Sequence, residues 1–314
     1  MRYYRPVPRT DPARSAAALP LAGGWCWFDT VEVLSRDAGP QLMPAGEVPD
    51  EALQRLTRPR PALAGIGMDT PRLMGILNVT PDSFSDGGQH LDREVARAHA
   101  TAMAGAGADI IDVGGESTRP GAVPVPVEDE IARTAPVIAA IRAQTAAPLS
   151  IDTRKMPVAE AALRAGAGLI NDVSGFTFDE TLAPLAAEHA LPVCVMHAQG
   201  PPETMQNDPR YADVLLDVFD WLAARIDALT ALGIPRDRII VDPGIGFGKT
   251  QAHNLRLLQG LSLFHGLGCA VLLGASRKRF IGDLTGAPVA MDRVPGSLAV
   301  AVMAANQGVQ IQRV

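Results

Sequence analysis

Residues 149–173 read LSIDTRKMPVAEAALRAGAGLINDV. Leu149–Asp152 is a short apolar run that ends in a carboxylate, and Leu169–Val173 repeats the pattern around Asn171. Between them Pro157–Ala165 reads as an amphipathic helix, with proline in its first turn and Gly166 just past its end, the asymmetry that helix termini favour. Strand, helix and strand joined by short loops form a βαβ unit, which implies a parallel sheet.

The same unit recurs on both sides. Upstream, candidate strands lie at Leu73–Val79 and Asp109–Val113; downstream, at Val193–His197, Ile239–Asp242, Ala270–Gly274 and Val309–Val314. Helical periodicity covers Leu91–Ala106, Val127–Thr145 and Pro209–Leu232. Eight strands alternating with helices predict a closed (β/α)8 TIM barrel over residues 71–314. A core of aliphatic side chains suits it, since only 4% of the residues are aromatic. Residues 1–70 are different in kind, rich in proline and arginine. A strand pair around Trp25–Leu34, a short helix near Pro49–Leu56 and the proline-broken RPRPALAG mark them as an accessory N-terminal extension without chemistry of its own. Val314 falls within or just after the eighth strand, before any helix to cover it. The expectation is a shortened chain, or a barrel in which the extension or a neighbouring subunit takes that helix's place.

Composition narrows the function. A formal net charge of −6 disfavours general nucleic-acid binding, which needs a basic face. Cys26, Cys194 and Cys269 are too scattered for a disulfide framework or a zinc site. No apolar run reaches the ~18–20 residues that span a bilayer, and the N-terminus lacks the apolar stretch of a signal peptide. A soluble, cytoplasmic protein is expected.

Polar residues cluster where a barrel builds its active site. Asn78, Glu116, Asp152, Asn171, His197, Asp242 and Ser276 fall at or just beyond strand C-termini. One such residue is an ordinary helix cap or turn former; so many in succession are not. In MGILNVTPDSFSDGG (74–88), Asn78 offers an oxygen to a hard cation such as Mg2+, followed by a loop suited to closing over substrate. In DVGGESTRPGA (112–122), Thr118 and Arg119 suit an anion. Asp152, Asn171 and Asp242 are isolated polar groups on apolar strands, costly unless paired. A flat heterocycle with amino, ring N–H and carbonyl groups would satisfy them; so would pairing with Arg154, Lys155 or Lys278. GASRKRF (274–280), with Ser276 and Lys278, lies where barrels bind phosphate, and Arg313 follows on the last strand. A basic cluster beside acidic groups suggests a substrate with a polar ring and an anionic tail. Phosphate-loop, nucleophile-elbow and zinc-helix motifs are absent.

From about Arg72 to Val314 the sequence resembles the dihydropteroate synthase family. The stretches NVTPDSFSDGG, DVGGESTRPGA, SIDTRK, INDVSG, MHAQGPPETMQ, DPGIGFGK and SRKRFIG stand in the family's order. The resemblance implies condensation of 6-hydroxymethyl-7,8-dihydropterin diphosphate with p-aminobenzoate. It implies that Asn78 binds Mg2+, that Thr118 contacts the pterin diphosphate with Arg119 near the diphosphate or the second substrate, and that Asp152, Asn171, Asp242 and Lys278 hydrogen-bond the pterin. Asp152, Asp242 and Lys278 would then carry the chemistry. Met196 and Phe247 would pack on the ring, and Arg313 would cover it. Phe84, Pro120 and Ser276 would shape a p-aminobenzoate pocket that sulfonamides also occupy in this family. A homodimer is implied too. Members of the family continue past Arg-Val with His-Asp-Val and a last helix, so weakened diphosphate binding and a less stable barrel are expected if this chain is the whole protein. A pterin-dependent methyltransferase would have no use for the Mg2+–diphosphate equipment, and a non-catalytic pterin-binding paralogue is the other alternative.

Overall fold

Eight parallel strands close into a barrel. They are β6 (Arg72–Asn78), β7 (Ile110–Gly114), β8 (Leu149–Asp152), β9 (Leu169–Asp172), β10 (Val193–Met196), β11 (Ile239–Asp242), β12 (Ala270–Gly274) and β13 (Ile311–Arg313), in that spatial order, with β13 pairing back to β6. The computed structural model describes residues 1–79, 88–117, 122–200 and 204–314. Thr118 and Arg119, like Phe84 and Pro120, lie outside the described residues. The strands match the sequence expectation to within two residues at each end, because the runs are mostly apolar and, apart from β6 and the end of β13, buried along their length.

Alternation along the strands separates two environments. Outward residues such as Ile111, Val113, Ile151, Ile170, Val195, Val241 and Leu273 join the large cluster under the helices. Met74, Ile110, Leu169, Cys194, Ile240, Leu272 and Ile311 form a second, axial cluster. One strand repeat further on, toward the C-terminal ends, the inward positions turn polar: Asp112, Asp152, Asn171, Asp242 and Arg313. A packed apolar floor beneath a polar mouth is what the barrel supplies.

Helices α2 (Gly88–Gly105), α3 (Val127–Arg142), α4 (Met156–Ala165), α5 (Leu182–Glu188), α6 (Val214–Ala231), α7 (Gln251–Gln259), α8 (Arg279–Thr285) and α9 (Val294–Ala305) connect the strands; α1 (Asp50–Thr57) belongs to the extension. Periodicity alone would start α6 at Pro209. It starts at Val214 because the Asp213 carboxylate caps it, accepting from Leu215 N at 2.9 Å and Leu216 N at 3.2 Å. Among the described residues no helix follows β13.

The extension forms its own small sheets. β1 (Tyr3–Pro6), β4 (Thr30–Leu34) and β5 (Gln41–Pro44) form one; β2 (Leu19–Pro20) and β3 (Trp27–Phe28) form the other. Trp25–Leu34 is therefore not a self-paired hairpin, as expected, but two strands in different sheets. A single residue, Asp29, separates β3 from β4, which is too short for a hairpin loop. Phe28, Val31, Leu56 and their neighbours make a local core, and the whole unit is bound tightly to the barrel. Tyr3 donates to Asp220 at 2.8 Å and meets Phe219 edge-on at 5.5 Å. Trp25 Nε1 donates to the carbonyl of Ala305 at 2.9 Å. Leu63 and Met68 join the axial cluster and close the N-terminal end of the barrel.

Candidate active site

Arg313 is the hub of the polar mouth. Its Nε lies 2.6 Å from Asp112 Oδ2 and a terminal nitrogen lies 2.6 Å from Asp152 Oδ2. Asn171 Nδ2 donates to the same Asp112 oxygen at 2.9 Å. Asp112, Asp152 and Asn171 come from three adjacent strands, β7, β8 and β9, and Arg313 reaches them from β13 across the axis. Among the partners foreseen for Asp152, Arg154 and Lys155 are directed elsewhere. Arg154 pairs with Glu116 at 2.8 Å, and Lys155 pairs with Glu116 at 2.9 Å and Glu130 at 2.7 Å. Glu116 also accepts the amide of Val125 at 2.8 Å, so it ties together the two ends of the loop that holds Thr118 and Arg119.

On the other side of the mouth, Asp242 ends β11 and accepts the amide of Gly244 at 2.7 Å. Lys278 Nζ donates to the carbonyl of Ile245 and lies 4.6 Å from the centroid of the Phe247 ring, a cation–π distance. The two halves meet at Gly274, where a β-carbon would lie 3.6 Å from Asp242 Oδ2 and 3.9 Å from Arg313 Cβ. Gly114 does the same for Asn78 and Asp152, with the Asn78 amide oxygen at 3.7 Å and Asp152 Cβ at 3.5 Å. Met196, buried at the end of β10, sits against Gly244. Ser276 is half-buried, two residues before Lys278. The structure thus brings Asn78, Asp152, Asn171, Met196, Asp242, Phe247, Ser276, Lys278 and Arg313 to one end of the barrel.

Burial dominates the electrostatics. It raises the Asp152 carboxyl to about 7 against the opposing pull of Arg313, and it raises Asp242 against Lys278. Burial lowers Lys278 to about 8; Asp242 opposes the shift and Arg313 adds to it. Carboxylates and an ammonium pushed toward neutral pH in a concave site mark a candidate functional site.

Two polar residues play other parts than their positions suggest. His197 packs edge-on against Trp221 at 5.0 Å, and its Nδ1 lies 2.9 Å from the buried Lys249 Nζ. Burial, then the Lys249 charge, depress it to about 2. Lys249 also donates to the carbonyl of Phe247 at 2.9 Å, which braces the turn after β11. Asp112 is fully buried at the centre of the site. Sequence reasoning took it as the start of a loop motif, although its place as an isolated carboxylate inside an apolar strand was the available signal.

A family model described as "Pterin binding enzyme" matches residues 74–314. The chain belongs to the pterin-binding enzyme family. Among curated relatives, dihydropteroate synthase of Escherichia coli K12 is 47% identical over 249 residues, covering 79% of this chain and 88% of that protein. Dihydropteroate synthase of Xanthomonas albilineans, solved with 4-aminobenzoic acid, superposes with a TM-score of 0.75 at 48% identity, covering 80% of this chain and 90% of that one. The same enzyme in complex with 7,8-dihydropteroate gives 0.72 at 45% identity, covering 79% and 88%. The match begins inside β6, so the family's barrel is shared and the extension lies outside it.

Proposed function

We propose that the chain is a transferase that condenses 6-hydroxymethyl-7,8-dihydropterin diphosphate with p-aminobenzoate, giving 7,8-dihydropteroate and diphosphate for folate biosynthesis. The observation that carries this reading is the single barrel mouth in which Asp152, Asn171 and Asp242 stand beside Lys278 and Arg313, in a family that binds pterins.

The inward carboxylates and the amide are acceptors for ring amino and N–H groups, and Lys278 is a donor for the ring carbonyl. Phe247 and Met196 supply apolar walls. As the carbon–oxygen bond to diphosphate breaks, positive charge develops on the pterin methylene, and buried Asp152 and Asp242 stabilise it. The aromatic amine forms the new carbon–nitrogen bond and loses a proton, so no protein nucleophile is required. Thr118 and Arg119, on the loop tied by Glu116, are assigned to the diphosphate.

Asn78 fits Mg2+ as the cofactor. It offers an exposed neutral oxygen at the mouth beside Asp152, and such an ion takes few protein ligands, keeping waters and phosphate oxygens. When bound, Mg2+ would offset the negative charge of the leaving diphosphate. Residues 1–70 are assigned to scaffolding. A cytoplasmic location and a homodimer belong to the same proposal, supported by the resemblance and by Leu298 and Val302, exposed four residues apart on α9.

The test mixes the purified chain with Mg2+, the pterin diphosphate and p-aminobenzoate and follows diphosphate and dihydropteroate together. Both are expected, and Asp242→Asn is expected to abolish both. Folded protein that binds the pterin and forms neither product would reduce the assignment to a non-catalytic paralogue.

A further inference from the structure

We infer that Asp112 is a positioning residue for pterin recognition: through one carboxylate oxygen it fixes both the orientation of the Asn171 amide and the place of the Arg313 guanidinium. The inference rests on the pterin-binding reading above and adds to it a residue that makes the pocket selective.

Asp112 is fully buried, and both of its side-chain hydrogen bonds go to pocket residues. Asn171 Nδ2 lies 2.9 Å and Arg313 Nε 2.6 Å from Oδ2, while Oδ1 has no partner among the described residues. A carboxylate held in the interior by two such contacts acts directly on those two groups, and through Arg313 on Asp152. An ionised carboxylate only accepts, so Asn171 must turn its NH2 toward Asp112. That leaves the Asn171 carbonyl oxygen to accept a ring N–H of the ligand. Without Asp112 the amide can turn over and oppose donor to donor.

Arg313 is held by two edges, Nε on Asp112 and a terminal nitrogen on Asp152. A pterin that takes Asp152 as its acceptor must displace the second contact. The first remains, so Asp112 keeps the guanidinium at the pocket while its terminal nitrogens turn to the anionic part of the ligand.

Calorimetric titration with the pterin diphosphate tests this independently of turnover, which reports on the proposed reaction. Asp112→Ala removes the acceptor shared by Asn171 and Arg313 and is expected to weaken binding roughly ten- to hundredfold, the cost of leaving buried polar groups unpaired. Asp112→Asn can set its amide oxygen where Oδ2 stood and its NH2 where Oδ1 has no partner among the described residues, so it keeps both contacts and is expected to bind more tightly than Asp112→Ala. Wild-type binding by a folded Asp112→Ala overturns the inference. So does an Asp112→Asn variant that melts like the wild type and binds no better than Asp112→Ala. If Asp112→Ala does not fold, Asp112→Ser, whose shorter side chain cannot reach both partners, takes its place in the same comparison.

Discussion

The ammonium of Lys278 stands 4.6 Å from the centroid of the Phe247 ring and lies inside the field of Asp242. Burial, with the Arg313 charge adding to it, lowers the lysine to about 8, so it carries its charge below that pH and loses it above. Because kcat/KM follows the free enzyme's titrating groups, kcat/KM for the pterin diphosphate is expected to fall as pH rises through about 8. Lys278→Arg keeps the charge and should move that alkaline limb upward while lowering turnover by about tenfold through altered geometry. An alkaline limb that stays in place in the arginine variant would remove Lys278 from this role.

His265 is a buried neutral histidine that binds the protein's fold to pH. Its Nε2 lies 3.0 Å from the carbonyl of Gln307, and its Nδ1 has no partner among the described residues. A proton on Nδ1 would be buried without an acceptor, and Arg60 is nearby; burial first and that charge second lower the group from 6.5 to about 3. The unfolded histidine takes up its proton below about 6.5, the folded one only near 3. Stability is therefore unaffected above pH 6.5 and is lost as pH falls between those values, by about 1.4 kcal/mol per pH unit at most. His265→Gln keeps a donor for Gln307 without the titration. The difference in unfolding free energy between variant and wild type, followed by urea melts from pH 7 to pH 4, should move in the variant's favour as pH drops. A constant difference would contradict this.

The barrel was legible because its strands are mostly apolar runs and several carry, at their C-terminal end, a polar residue that does not belong in such a run. Asp152, Asn171 and Asp242 stood out for the same reason. The later helices were not legible. α9, VPGSLAVAVMAA, is apolar along most of its length, so no 3.6-residue contrast marks a face. The extension's strands are two to five residues long, below what periodicity can register. Asp112 was overlooked because the glycines after it drew attention to the loop. Its contact with Arg313 joins residues 201 positions apart, and only barrel closure reveals such a pair. Arg154 and Lys155 looked like partners for a strand carboxylate by proximity in sequence, but they are paired with Glu116 and Glu130.

Arg60 carries much of the attachment between extension and barrel. It donates to the carbonyls of Cys269 and His265 at 3.0 Å each, of Arg58 at 2.9 Å and of Arg55 at 2.8 Å. Arg60→Met retains the apolar stem and leaves those oxygens without their donor. A loss of about 3 kcal/mol in urea denaturation is expected, with both KM values unchanged because Cys269 precedes β12 at the end of the barrel opposite the site. A loss below about 1 kcal/mol would mean the extension is held by its other contacts, Tyr3 with Asp220, Trp25 with Ala305 and the apolar packing, rather than by Arg60.

Gly244 couples backbone shape to the pterin pocket. It sits at φ +69°, and a β-carbon there would lie 1.9 Å from the carbonyl oxygen of His197 and 3.2 Å from Met196 Cγ. Its own amide holds Asp242 Oδ1 at 2.7 Å. Gly244→Ala must therefore push apart the ends of β10 and β11, moving Met196 and Asp242 together. Gly286, at φ +72° with nothing within 4 Å of an added β-carbon, separates the two contributions, since alanine there meets only the left-handed backbone penalty of about 1 kcal/mol. Gly286→Ala should lower the melting temperature slightly and leave kcat/KM alone. Gly244→Ala should lower kcat/KM for the pterin diphosphate by about a hundredfold, measured at a temperature where both variants are folded. Equal kinetics in the two would show that the turn after β11 is not what sets the position of Asp242.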